Sequence, residues 1–150
     1  MTNSTNVFHF PTALEWTEGH EGIAHSPDKP DIPVACPPVF CEGSPNDLWT
    51  PEELFVSSVE VCVLMSFISQ AKDSGVTFTS YRSEASGRLE FVGNDFMFSE
   101  ITIELTVKVP ESQDAEMVRK VLAESKKRCL VSASMKTQVK INANVVKAER

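Results

Sequence analysis

The sequence predicts an α+β fold in which antiparallel sheets enclose a buried central helix and a second helix, all within one domain of residues 1–150. A mostly apolar run at 49–72 opens with helix-start signals, and alternating strand patterns lie on both sides of it. A chain of 150 residues with 41% hydrophobic residues is long enough to form one core. No linker, internal repeat or low-complexity segment divides it, so a single domain is expected.

The predicted central helix begins with a capping pattern. Thr50 is a favourable N-cap, Pro51 suits the first helical position, and Glu53 completes a capping box. The turns that follow are apolar on nearly every side, which is typical of a helix that is covered all round by sheet or by a partner chain. The apolar stretch 54–68 is too short and too interrupted by serines for a membrane span, which needs about 20 predominantly apolar residues.

Three strands are predicted before this helix and four after it. Residues 7–16 alternate, two glycines in 18–22 predict a turn into a second strand, and 32–35 predict a third strand inside a proline-rich loop. The elements after the helix include a hairpin turn at 93–95 and a second helix. The four strands are predicted at 76–84, 85–92, 98–109 and 136–146, and the second helix at 113–128.

Composition narrows the class of partners. The net charge of −7 and the pI near 5.0 argue against nucleic acid or an anionic membrane as partner, since both need a basic face. The first residues show no basic segment followed by an apolar run, so a cytoplasmic location is expected. In that compartment the four cysteines are expected to be thiols or transient disulfides rather than structural ones.

One cysteine lies in the first predicted helix and another directly follows the second. Cys62 lies in the third turn of the central helix, and Cys129 comes directly after the second helix. From the residues alone they are either small buried hydrophobic side chains or a functional dithiol, because spacing does not show whether two distant thiols touch.

The other two cysteines, Cys36 and Cys41, lie in the proline-rich loop. They are loop residues without a chemical role, auxiliary thiols near Cys62, or zinc ligands together with His20 and His25. The spacing fits no familiar zinc site, so no metal and no cofactor are expected.

The run Thr-Pro-Glu-Glu-Leu-Phe at 50–55 followed by Cys62, and later Cys129-Leu-Val-Ser before a strand, resemble the OsmC/Ohr superfamily. The resemblance covers nearly the whole chain and implies an OsmC-like fold in an intertwined homodimer with both active sites at the interface. It further implies a thiol-dependent peroxidase for small hydrophobic organic hydroperoxides. In such an enzyme Cys62 would attack the peroxide to give a sulfenic acid, Cys129 would resolve it as a disulfide, and a dithiol such as a lipoyl protein would reduce that disulfide.

The resemblance also assigns Glu52 and, with one departure, His20. Glu52 matches the family glutamate that orients an arginine beside the reactive thiolate, but no arginine precedes Arg82 here. His20 stands in the turn where part of the family carries that arginine, or it is only an exposed turn residue. Without a cation a buried Cys62 stays protonated. The alternative is therefore a non-catalytic module that binds a hydrophobic small molecule or senses redox state.

Overall fold

The computed structural model describes residues 6–149, which form two compact units. The first unit ends at Pro51 and the second begins at Glu52. Both ends of the predicted domain, residues 1–5 and 150, lie outside the described part of the chain. The prediction of one domain over residues 1–150 stays a prediction.

The first unit is a three-stranded antiparallel sheet in the spatial order β1-β2-β3. Its strands are β1 (Ala13–Trp16), β2 (Glu21–His25) and β3 (Ile32–Ala35). The turn predicted at 18–22 joins β1 to β2, and Gly19 adopts a φ of 48° there, which glycine reaches without steric cost. The strand predicted at 7–16 is wrong over 7–12, because β2 ends at His25, the partner of Ala13.

The second unit consists of three helices and a three-stranded sheet in the order β4-β5-β6. The helices are α1 (Pro51–Asp73), α2 (Ala115–Lys127) and α3 (Leu130–Ala133). The strands are β4 (Ser80–Val92), β5 (Asp95–Val109) and β6 (Gln138–Lys147). The α+β fold with its central and second helix is therefore confirmed, and α1 begins at Pro51 as its capping pattern predicted.

Three details differ from the sequence prediction. The strands predicted at 76–84 and 85–92 are one continuous strand, β4. Strand β6 pairs with β5 in parallel, because the connection through α2 carries the chain back to the starting end of β5 before β6 begins. Helix α2 starts after Asp114, whose side chain accepts the Glu116 N–H, and the short helix α3 was not predicted.

Helix α1 buries one stripe of side chains against β5 and α2. Its buried residues share a spacing of four and are Val59, Val63, Phe67 and Ala71. Their core neighbours on β5 are its odd-numbered residues from Ile101 to Val109. Val61 and Met65 are each 53% exposed, so the single chain does not cover the helix on every side as expected.

Helix α1 also has the length and composition of a helix that crosses a membrane. With 23 residues, α1 is longer than the apolar stretch on which the sequence argument against a membrane span was based. The core helix of a soluble protein has the same properties, so this remains weak evidence for a membrane span.

Candidate functional site

Helix α1 and the junction between α2 and α3 bring Cys62 and Cys129 together. The Cys62 thiol lies within hydrogen-bonding distance of the Cys129 thiol and of the backbone N–H groups of Leu130 and Val131. Both cysteines are free thiols. Two thiols in hydrogen-bonding contact are a suitable starting arrangement for a disulfide.

The backbone around Cys129 fixes this sulfur in place. Helix α2 ends at Lys127, and after one more residue Cys129 becomes the N-cap of α3 with extended φ and ψ of −67° and 108°. Its Sγ accepts the Ser132 N–H at 3.5 Å, and the Ser132 hydroxyl donates to the Cys129 carbonyl at 3.1 Å. Cys129 is 1% exposed, so hydrogen bonds rather than water surround its sulfur.

The two thiols have opposite pKa shifts. Burial raises the pKa of Cys62, and the N–H groups of Val131 and Leu130 only partly oppose it. Burial acts in the same direction on Cys129, but hydrogen bonds from Ser132 and from the Cys62 thiol lower the pKa of Cys129 below its ordinary value. When the pair loses one proton, the other thiol can therefore donate to the thiolate that forms.

Glu52 lies in the first turn of the same helix as Cys62. Ten residues separate them, which corresponds to about 15 Å along a helix axis, so one chain does not bring them together. The Oε2 atom of Glu52 is buried and accepts no hydrogen bond from any described residue. A buried carboxylate oxygen without a donor is costly, so this position favours a cation or another donor.

His20 is the exposed residue that precedes β2 in the first unit. Its carbonyl accepts the N–H of Cys36 at 3.0 Å, which ties the β1–β2 turn to the residue after β3. In residues 6–149 no group of three or more His, Cys, Asp or Glu side chains is arranged to hold a metal ion. The zinc alternative with His25 therefore gains no support.

Cys36 and Cys41 are joined by a disulfide with their Cα atoms 6.0 Å apart. Of the two states expected for these cysteines, thiols or a transient disulfide, the structure contains the disulfide. A tight turn brings them together, because the N–H groups of Phe40 and Cys41 both donate to the Pro37 carbonyl, at 2.9 and 3.0 Å. The motif Cys-Pro-Pro-Val-Phe-Cys was the sequence signal for this pairing.

An apolar groove of about 490 Å³ lies within the second unit. Rings of Phe55 and Phe98 stack in its wall with their centroids 5.0 Å apart. Lys136 is the one charged residue among the groove's lining residues. The remaining lining residues are Leu89, Phe96, Met97, Ser134, Met135 and Thr137.

The profile of the OsmC-like protein family matches residues 44–144 of the chain. The structure is similar to an OsmC-like protein of unknown function from Vibrio cholerae, with a TM-score of 0.85, 16% identity, and 91% of this chain and 99% of that chain covered. For an organic hydroperoxide resistance protein OsmC from Legionella pneumophila the TM-score is 0.71, with 13% identity and coverage of 95% and 99%. For the organic hydroperoxide resistance protein OhrB of Bacillus subtilis the TM-score is 0.61, with 19% identity and coverage of 92% and 98%. No curated protein sequence matches the chain significantly.

Proposed function

Because this chain belongs to the OsmC-like protein family, we propose that it is a thiol-dependent peroxidase that reduces organic hydroperoxides through Cys62 and Cys129. The observation that carries this proposal is the hydrogen-bonding contact between the two free thiols. Two relatives of the same fold are named organic hydroperoxide resistance proteins, which supports the substrate class. We infer a cytoplasmic location, because OsmC-like proteins are soluble and thiols persist in that compartment.

In this reaction the Cys62 thiolate attacks the terminal oxygen of the hydroperoxide. An S–O bond forms, the O–O bond breaks, and the alkoxide leaves as an alcohol after taking up a proton. Cys129 then attacks the sulfenic sulfur, which forms the disulfide and releases water. The partial exposure of Cys62, against 1% for Cys129, favours Cys62 as the sulfur that meets the peroxide. A small dithiol or a lipoyl protein would reduce the disulfide.

The attack requires a cation near Cys62. Within one chain the pKa shifts favour the thiolate at Cys129, so a positive group near Cys62 is needed to favour the thiolate there. We infer that this cation is His20 and that the protein is a homodimer. In the homodimer, Glu52 of a second copy would orient His20 beside Cys62. The buried and unpaired Oε2 of Glu52 supports this, because such an oxygen is stabilised by a cation.

A second candidate function is the binding of a hydrophobic small molecule without catalysis. The groove between Phe55 and Lys136 favours it, since its volume falls in the usual range for ligand sites and its walls are mostly apolar. In that case the thiols would serve as a redox sensor or have no chemical role.

Single-site serine variants test the peroxidase proposal. We expect Cys62→Ser to abolish dithiol-dependent consumption of an alkyl hydroperoxide. Cys129→Ser should retain one oxidation event per chain but no turnover, because the sulfenic acid has no resolving thiol. Peptide mapping of the oxidised wild-type protein should recover Cys62 joined to Cys129.

The comparison that decides between the two functions is the second-order rate of Cys62 oxidation against that of free cysteine. A wild-type rate no faster than free cysteine would refute the peroxidase and favour the binding module. Binding of a fluorescent apolar probe to the groove of the Cys62→Ser variant would then measure the binding function directly.

A further inference from the structure

The Cys36–Cys41 disulfide takes no part in the proposed peroxide chemistry, and it is linked by backbone contacts to the turn that carries His20. We propose that Cys36 and Cys41 form a second thiol–disulfide exchange site, which accepts electrons from a dithiol and whose reduction releases the β1–β2 turn. The exchange reaction at this site does not depend on the proposed peroxidase activity.

Access to the sulfur atoms is the first support for this proposal. Both cysteines are partly exposed, and between them Val39 and Phe40 are 81% and 52% exposed. Exchange proceeds by attack of a thiolate on a disulfide sulfur, so it requires such an accessible bond. Fully buried disulfides do not offer that approach.

The second support is the short loop that the disulfide closes. Cys36 and Cys41 are five residues apart, and a disulfide stabilises a fold mainly in proportion to the chain entropy that it removes from the unfolded state. A loop of this length removes less chain entropy than a long loop, so a purely structural role would contribute less here than for a bond between distant strands.

Backbone contacts connect the disulfide to the rest of the first unit. Cys36 donates its N–H to the His20 carbonyl at 3.0 Å, and the preceding residue Ala35 donates to the Trp49 carbonyl at 2.9 Å. On the other side, the Ser44 hydroxyl donates to the Cys36 carbonyl. Cys36 is therefore one contact by which the loop holds the His20 turn, next to the pairing of Ala35 with Glu21, and the bond to Cys41 ties Cys36 to the rest of the loop.

The exchange balances without any further reactant. One thiolate of the dithiol attacks a sulfur of the loop disulfide, a mixed disulfide forms, and the other loop cysteine leaves as a thiolate that takes up a proton. The second thiol of the reductant then attacks the mixed disulfide and frees the remaining loop thiol. Two electrons and two protons move from the reductant to the loop, and the reductant becomes a disulfide.

The experiment uses the full chain with Cys62→Ser and Cys129→Ser, so that only the loop pair can exchange. The folded variant is treated with dithiothreitol or with reduced thioredoxin, alkylated and mapped by peptide mass spectrometry. We expect two alkylated loop thiols with the far-UV circular dichroism unchanged. Amide exchange across residues 17–22 and at Cys36 should become at least about tenfold faster. The turn at 26–31 between β2 and β3 is the matched control and should not change.

Reduction that requires denaturant would show a structural disulfide and overturn the proposal. Reduction without faster exchange at 17–22 would also overturn it, because the turn would then not depend on the disulfide. A faster reaction with thioredoxin would identify a protein dithiol as the reductant, and a faster reaction with dithiothreitol a small one; both support the site. If the double variant fails to fold, differential alkylation of the wild-type protein gives the same measurement, since peptides distinguish the loop cysteines from the other two.

Discussion

At the scale of single residues, the environments of Cys62 and Cys129 explain why the proposed attack by Cys62 needs a cation from outside this pair. Burial raises the pKa of Cys62, so the thiolate fraction at this sulfur grows as pH rises toward that pKa. The oxidation rate should therefore increase with pH in the neutral to alkaline range unless a cation is present. Cys129, held by Ser132, is the better thiolate but is almost fully buried.

The role proposed for His20 gives a prediction at the same scale. His20→Ala should slow oxidation of Cys62 by about tenfold, since losing one pKa unit of thiolate stabilisation corresponds to about 1.4 kcal/mol. His20→Arg should restore or exceed the wild-type rate, because arginine carries a permanent charge. Stopped-flow measurement of Cys62 oxidation by an alkyl hydroperoxide provides the test.

His9→Ala is the matched control, because His9 is also exposed and lies in the same unit of the protein. Equal rates for His20→Ala, His9→Ala and the wild type would mean that His20 is only a turn residue. The cation would then have to be another group.

The residues of the site were predictable to different degrees. The resemblance selected Cys62 and Cys129, but from the sequence alone a dithiol remained one of two alternatives, because contact depends on how α1 and α2 pack. The donors from Leu130 and Val131 were missed, since they are backbone groups whose direction is set by the four-residue helix α3. The bond between Cys36 and Cys41 was left open, because the compartment argument allows both thiols and transient disulfides.

At the scale of elements, helix starts and turns were more predictable than strand lengths. The capping pattern placed the start of α1 at Pro51, because a cap is a local interaction of a few neighbouring residues. Strand β4 was divided wrongly near residue 84, because alternation continues through it and nothing local marks a break. The parallel pairing of β6 depends on the end of β5 at which the chain re-enters the sheet, and local sequence does not encode that.

Gly87 in β4 shows how closely these elements pack. A Cβ atom at this position would lie 2.6 Å from Val56 Cγ2 on α1 and 2.7 Å from Phe98 Cε1 on β5. We expect Gly87→Ala to lower the free energy of unfolding by about 1–3 kcal/mol, the usual cost of overpacking a core. Urea denaturation followed by circular dichroism measures the change.

The neighbouring variant Ser86→Ala is the control, because Ser86 is exposed on the opposite face of the strand and should change stability by less than about 0.5 kcal/mol. A Gly87→Ala protein as stable as Ser86→Ala would show that α1 and β5 can separate at this point without cost.

At the scale of the whole molecule, the exposed apolar side of α1 is the main argument for a homodimer. Val61 and Met65 are each 53% exposed on a helix whose sequence is apolar on nearly every side. In the first unit Leu14 and Trp16 are 70% and 76% exposed. Exposed large apolar side chains on a face of an element often mark an interface, and a second copy of the chain is the partner that the family resemblance implies.

The proposed homodimer leads to a prediction about mixed variants. If Glu52 of one copy serves Cys62 of the other, the Cys62→Ser and Glu52→Gln homodimers should both be impaired. A mixed dimer of the two variants still contains one site with an intact Cys62 and an intact Glu52. After unfolding and refolding an equal mixture, half of the dimers should be mixed, each with one working site of two. About a quarter of the wild-type peroxidase activity should therefore return.

Two further substitutions separate this outcome from other causes of activity. Met65→Glu in both chains should place a charge in the interface, give monomers by light scattering and prevent the recovery. Met117→Glu, at a methionine that is 43% exposed on α2, is the matched control and should leave the dimer and the recovery intact. If mixing restores nothing although the dimers form, Glu52 must act on Cys62 of its own chain or not at all. The separation of about 15 Å along α1 makes the first of these incompatible with the helix as it stands, so Glu52 would then have no role in activating the thiol.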